Sequence, residues 1–359
     1  MSRPLSTSEP GPPPAAPGTH ADGPARGAPW HRRLLPDEFG VGLVLVVLVF
    51  GVGFAHPDFL RTSSLLSTAQ SSVYVGLMAC GMVFPLAMRE VDLSVGGIYS
   101  LGIVVGAILI RSGMSPWLAL PAVLALSAVL GALNGTITTY LRLPSFIVTL
   151  ASALLFRGAA LALANGKQIS GLPQDNSFFT VLGGDLGGVP TSVWVLLAAT
   201  IVLTVVFTRT RFGMRVRSIG SNPDAAEFSG LPIARTRIIA LSMSGLLAGV
   251  SSTLGLAFYI AGDPTVGNGY ELTAIAACII GGTPLSGGRG SVPGAMLGNL
   301  ILTSVATALV FFQVPINWTT FATGAVILIA VAFDSLVRRT KGHGLLPRGL
   351  NPFRRRPSD

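Results

Sequence analysis

Charge is scarce in this chain. Only 11% of its 359 residues are Asp, Glu, Lys or Arg, whereas a soluble domain uses about 25% to cover its surface. A fold bathed in water on all sides is therefore excluded. Cysteine is nearly absent. Cys80 and Cys278 lie inside apolar stretches, where they read as small buried residues and support neither a disulfide nor a metal site. His20, His31, His56 and His343 fall in the tails or at the edge of an apolar run, and none has metal-ligand spacing to another. No Gly-x-x-x-x-Gly-Lys-Ser/Thr phosphate loop occurs, and the Gly281 to Gly290 stretch has no Lys-Ser or Lys-Thr after it. With no catalytic cluster, an enzyme is the least favoured class. An energy source must come from another chain or from an ion gradient.

Apolar sequence is what the chain has in abundance. Half of its residues are hydrophobic, and several runs reach the roughly 20 residues that cross a bilayer as a helix. The runs do not alternate, which excludes a transmembrane β-barrel. Helices satisfy their own backbone hydrogen bonds in hydrocarbon and remain as the spanning solution. The expected fold is an all-α polytopic membrane bundle of about ten transmembrane helices. The spans are read at 39–56, 69–88, 94–112, 117–140, 145–163, 191–208, 238–260, 272–284, 292–312 and 317–335. The eighth runs into Gly281-Gly282-Thr283-Pro284 and reads as a broken or re-entrant element. An eight-span arrangement that merges or re-enters two weak segments keeps the same termini.

The net charge of +9 reads as cytoplasmic Lys and Arg, with no need of nucleic acid. With the N-terminus inside, Arg61, Arg111 and Lys167 fall outside and Arg157 within a span. The other 20 of the 24 Lys and Arg residues fall inside. This bias supports ten spans in a bacterial inner membrane with both termini cytoplasmic. Residues 1–36, rich in Pro, Gly and Ala, are expected to form a disordered cytoplasmic tail and no signal peptide. Residues 37–338 form the transmembrane domain, and residues 339–359 a basic cytoplasmic tail.

Two loops are long. Residues 164–190 lie outside. Residues 209–237 lie inside and carry six Arg. Within the inner loop, Asn222-Pro223-Asp224 is a helix-start signal, and Ala225, Ala226, Glu227 and Phe228 continue a short surface helix. Gly230 and Pro232 stop it.

Polar residues in or near spans are the site candidates. Arg89-Glu90-Val91-Asp92-Leu93-Ser94 reads first as a solvated turn with Arg89 paired to an acid, and second as an acid-lined backbone break beside a substrate path or gate. Arg157 admits snorkelling or burial against an acid partner. Glu271 reads first as a helix N-terminal acid. Asn134 and Asn317 read as interhelical hydrogen bonders, and the Gly-spaced spans as close helix packing. Leu93-Ser94-Val95-Gly96-Gly97 faintly echoes Leu285-Ser286-Gly287-Gly288, each before a Gly-spaced span.

Four segments carry a family resemblance: Asp92 to Gly96 (DLSVG), Leu143 to Leu150 with Arg157-Gly158, Gly213 to Gly230, and Pro264 to Gly288. In order and spacing over about residues 40–340, the chain resembles the permease subunit of bacterial ABC sugar importers of the ribose, xylose and arabinose type. The resemblance implies a second permease copy (homodimer or heterodimer), a cytoplasmic ABC ATPase that holds ATP and Mg, and a periplasmic sugar-binding protein. No cofactor is implied on this chain. Asn222, Ala225, Ala226, Glu227, Ser229 and Gly230 would couple to the ATPase. Asp92, Ser94, Asn134, Arg157 and Glu271 are the candidates for the translocation path or gate. The 164–190 loop and the Asp263–Glu271 turn would face the binding protein. Where the family has Gly-Gly-Ile or Gly-Glu-Ile, this chain has Arg89-Glu90-Val91. A permease for branched-chain amino acids or nucleosides is the nearest alternative. A gradient-driven secondary transporter is disfavoured, because the predicted spans contain no mid-span Asp or Glu.

Overall fold

The computed structural model describes residues 37–315 and the isolated helical positions 318, 321, 324, 325 and 328. The two tails, Asn317 and nearly all of the tenth expected span lie outside the described residues.

Each of the other nine expected spans coincides with a helix. They are α1 (Asp37–Ala55), α2 (Thr62–Ala87), α3 (Val95–Arg111), α4 (Pro116–Tyr140) and α5 (Ser145–Leu163). After the outer loop, with its short α6 (Ser177–Leu182) and the two-residue strands β1 (Asp185–Leu186) and β2 (Val189–Pro190), comes α7 (Thr191–Arg209). The inner loop folds as α8 (Arg211–Ser221) and α9 (Pro223–Phe228). The last three are α10 (Ile233–Tyr259), α11 (Tyr270–Ile280) and α12 (Val292–Phe311). Seven of these helices are long and apolar enough to cross a membrane, while α3 and α11 are shorter.

The helices α2 and α10 occupy the centre. Of the most apolar window of each, 83% and 67% respectively is buried, against 11% for α1, which turns its apolar face outward. Their sequences explain this. Both are rich in Gly, Ala, Ser and Thr, which let helix backbones approach in a medium where apolar burial alone drives nothing. A Cβ added at Gly131 of α4 would strike the carbonyl of Leu241 on α10, and one at Gly245 of α10 would strike the carbonyl of Ser127 on α4.

The central pair run antiparallel; α2 is followed by an extended segment and α10 by a run of turns, and each then by a shorter helix. Residues 88–94 leave α2 at the arginine-rich end of the bundle and climb beside α5. Val91 meets Ser145, and Leu93 meets Thr149 one turn further along. Gly97 then packs on Ala153. Eight residues of helix separate Ser145 from Ala153, a climb of about 12 Å, so α3 begins deep inside the bundle. Residues 260–269 descend from the opposite end. There Ile169 and Gly262 exchange two backbone hydrogen bonds of 2.8 and 2.9 Å. Gly267 then reaches Gly96, and α11 starts at that depth. The N-termini of α3 and α11 therefore meet inside the bundle.

The third span, expected at 94–112, is the helix Val95–Arg111 with an extended lead-in. The echo between Leu93–Gly97 and Leu285–Gly288 does not mark equivalent places, because Gly288 lies at the arginine-rich end, where its N–H donates to the carbonyl of Ala87 at 2.9 Å.

Candidate functional site

The meeting of α3 and α11 gathers the polar residues singled out in the sequence into two adjoining clusters. In the first, Arg157 on α5 donates through Nη2 to both carboxylate oxygens of Glu271, at 3.0 and 2.9 Å, and to the carbonyl of Gly267 at 3.2 Å. Both side chains are largely buried. The snorkelling alternative for Arg157 is thereby removed. Glu271 does sit in the first turn of α11, where the helix dipole favours an acid, and the guanidinium adds a direct partner. Gly96 makes this possible. A Cβ there would strike Oε2 of Glu271 and come within 2.6 Å of the carbonyl of Gly267. The turn that delivers Glu271 uses Gly267 and Gly269 at φ of +87° and +81°, backbone that glycine adopts at little cost.

The second cluster ties the extended segment to α4 and α5. Asp92 Oδ1 accepts from the N–H of Ser94 at 2.9 Å and from its hydroxyl at 2.6 Å. Asn134 Nδ2 donates to Ser94 Oγ at 2.9 Å, and its Oδ1 accepts from Ser152 at 2.6 Å. All four residues are buried. Asn134 thus bridges α3 and α5, as an interhelical hydrogen bonder should. Non-helical backbone at membrane depth survives only where protein satisfies its polar groups. Here the hydroxyls of α5 do so: Ser145 and Thr149 accept from the N–H groups of Val91 and Leu93, and Thr149 donates to the carbonyl of Val91. Ser145, Thr149 and Ser152 recur at helical spacing. That signal is present in the sequence but went unread. Asp92 Oδ2 and Arg157 Nε find no hydrogen-bond partner among the described residues.

The third group lies at the arginine-rich end. The side chain of Asn222 accepts from the N–H of Ala225 at 3.0 Å and caps α9, as the sequence indicated. Gly230 closes the helix at φ +72°, and the Ser229 hydroxyl donates to the carbonyl of Ala225 at 2.7 Å. Ala225, Glu227 and Ser229 are exposed, while Ala226 is buried and anchors the helix. Two features here were missed. The inner loop holds a second helix, α8, which buries Val216 and Ile219 and half-buries Phe212. Phe228 projects into solvent, 94% exposed. A groove of about 640 Å³ between α8 and α9 is lined by Met214, Arg217, Ser221 and Asn222.

The turn 89–94 also differs from its first reading. Arg89 pairs with no acid among the described residues. Its guanidinium donates to the carbonyls of Gly220 and Ser221, and Glu90 pairs instead with Arg237. Among the described residues no set of three His, Cys, Asp or Glu side chains gathers as metal ligands.

The sequence matches the family described as "Branched-chain amino acid transport system / permease component" over residues 64–331. It is 36% identical over 298 residues to the ribose import permease protein of Bacillus subtilis (strain 168), covering 83% of this chain and 92% of that protein. It is 32% identical over 317 residues to the L-arabinose ABC transporter permease protein of Azospirillum brasilense, covering 88% of this chain and 92% of that protein. To the xylose transport system permease protein of Escherichia coli (strain K12) it is 30% identical, covering 83% of this chain and 91% of that protein. The chain therefore belongs to this family of transport-system permease components, as a multi-pass helical membrane protein and not an enzyme.

Proposed function

We propose that the chain is the membrane-spanning subunit of an ATP-driven importer of a monosaccharide, a pentose such as ribose first among them. One observation carries this reading: permeases named for ribose, L-arabinose and xylose match more than four fifths of the chain at 30–36% identity. The family description names branched-chain amino acids instead, and that is the second reading.

In the proposed assembly a separate ATPase chain binds ATP and Mg and docks on α9. Asn222 and Gly230 fix the ends of that helix, Ala226 anchors it, and Ala225, Glu227, Ser229 and Phe228 present its outer face. A sugar-binding protein docks at the opposite end, on residues 164–190, and a second permease copy completes the path. Glu271 is held by Arg157 inside the bundle, so only the outer part of the Asp263–Glu271 turn serves that docking. The junction of α3 and α11, with Asp92, Ser94, Asn134, Arg157 and Glu271, acts as the gate between two arrangements of the bundle. The charge bias of the loops supports a bacterial inner membrane with both termini in the cytoplasm.

Reconstitution tests the reading. Proteoliposomes holding this chain with its ATPase, supplied with the binding protein, are expected to accumulate labelled ribose, arabinose or xylose only with ATP. Accumulation of leucine and of no sugar would establish the second reading. Sugar accumulation without any ATPase chain would sink both.

A further inference from the structure

The consecutive residues Arg89 and Glu90 hold the two helices that flank α9 in the chain, Arg89 the end of α8 and Glu90 the start of α10. Arg89 follows α2 at φ +66°, a conformation that a residue with a side chain holds only when its surroundings keep it there. Its Nε donates to the carbonyl of Gly220 at 2.7 Å and its Nη2 to that of Ser221 at 3.0 Å. These are the last carbonyls of α8, where the helix dipole favours a cation. The next residue is Asn222, the cap of α9. On the far side of α9, Arg237 lies one turn into α10 and donates through Nε to Glu90 Oε1 at 2.6 Å, with both side chains at most a quarter exposed. One prong therefore holds the entry to α9, and the other holds the first turns of α10, the helix that follows it.

Both prongs rise from the foot of the extended segment that ends at Ser94. That segment is a few residues long, and its backbone is pinned to Ser145 and Thr149. It has little slack to absorb a displacement. At its top stand the Asp92–Ser94–Asn134 cluster and Gly96, which abuts the Arg157–Glu271 pair.

We propose that Arg89 and Glu90 form a two-pronged positioning bracket that carries displacement of α9 along residues 90–94 to the junction of α3 and α11. This rests on the reading of α9 as the ATPase contact. Glycine at position 89 adopts the same backbone without strain but carries no prong. Arginine accepts the strain and gains two hydrogen bonds to α8.

The test uses the full chain assembled with its ATPase and binding protein in proteoliposomes. The readout is sugar taken up per ATP hydrolysed, a ratio that a mere loss of folded protein does not move. Arg89→Gly keeps the turn and removes one prong. Glu90→Arg and Arg237→Glu each break the other, and the double variant Glu90→Arg/Arg237→Glu reverses the pair. Each single change is expected to lower the ratio by about fivefold or more, the lower range of coupling between sites, with the ATPase still co-purifying. The reversed pair is expected to recover most of the loss. If a reversal variant fails to accumulate, Arg89→Gly and Glu90→Gln, which add no charge, are read by the same ratio. An unchanged ratio in the single variants, or a reversed pair no better than its parents, overturns the bracket. Normal uptake after replacing residues 222–229 with a Gly/Ser linker sinks instead the reading of α9 as the ATPase contact.

Discussion

A single nitrogen of Arg157 lies 3.0 and 2.9 Å from the two carboxylate oxygens of Glu271, and the two residues sit 114 positions apart in the chain. The pair joins α5 to the start of α11 at the depth where α3 also begins. Removing one partner of such a buried pair is more damaging than removing both, because the survivor keeps its charge without compensation.

Arg157→Ala is accordingly expected to destabilise the solubilised protein by about 3 kcal/mol. A volume-matched apolar pair, Arg157→Met with Glu271→Leu, is expected to recover most of that stability while transport stays lost. Thermal unfolding in detergent, set beside uptake, separates the two effects. Full transport by the apolar pair would remove the gate role assigned to these residues.

The carboxylate of Glu271 lies against the bare backbone of Gly96. Gly96→Ala forces a methyl group onto it and is expected to cost about 1–3 kcal/mol as overpacking and to depress uptake. Gly158→Ala is the control, since a Cβ at that α5 position meets nothing within 4 Å. Equal melting temperatures for the two variants would refute the close approach.

Asn134 spends its amide on two hydroxyls, one from α3's cap and one from α5. Asn134→Leu strands the Ser152 hydroxyl in an apolar interior, while Ser94 keeps Asp92 as its partner. The expected loss is about 2 kcal/mol, the penalty for a buried polar group left unpaired. Chemical denaturation of the variant beside Asn134→Gln checks the value, and no loss in the leucine variant would argue that water already serves this group.

Phe228 is almost wholly exposed, so Phe228→Ala is expected to shift stability by less than about 0.5 kcal/mol. If this ring fills a pocket on the ATPase, the same change weakens that contact by about 2 kcal/mol, as a hot spot does. Titration of the ATPase against the permease in nanodiscs reads the difference. Unaltered affinity would take Phe228 out of the interface.

The spanning helices were legible because apolar runs of that length have few other uses, and α9 was legible because Asn222, Pro223 and Gly230 are local signals. The helix α8 was obscured. Its half-buried Phe212 and buried Val216 and Ile219 recur at helical spacing, yet the interspersed Arg211, Arg215 and Arg217 made the stretch read as a charged loop. The Arg157–Glu271 pair and the Arg89 contacts to α8 join residues more than a hundred positions apart, and no local pattern encodes such pairings. What the sequence did offer was isolation: single charges in apolar surroundings, each requiring a partner. The break at residues 88–94 was half visible in Asp92 and Ser94. Its supports, Ser145 and Thr149, are ordinary helix residues until the extended segment beside them is known.

The two hydrogen bonds between Ile169 and Gly262 have a kinematic consequence. They fasten the outer loop to the descending segment, which continues through Pro264, held by the Ser100 hydroxyl, to Gly267, whose carbonyl accepts from Arg157. A load placed on residues 164–190 therefore reaches the ion pair through one short run of hydrogen-bonded turns. A load placed on α8 and α9 arrives from the opposite end. The junction is an address that both ends of the molecule share.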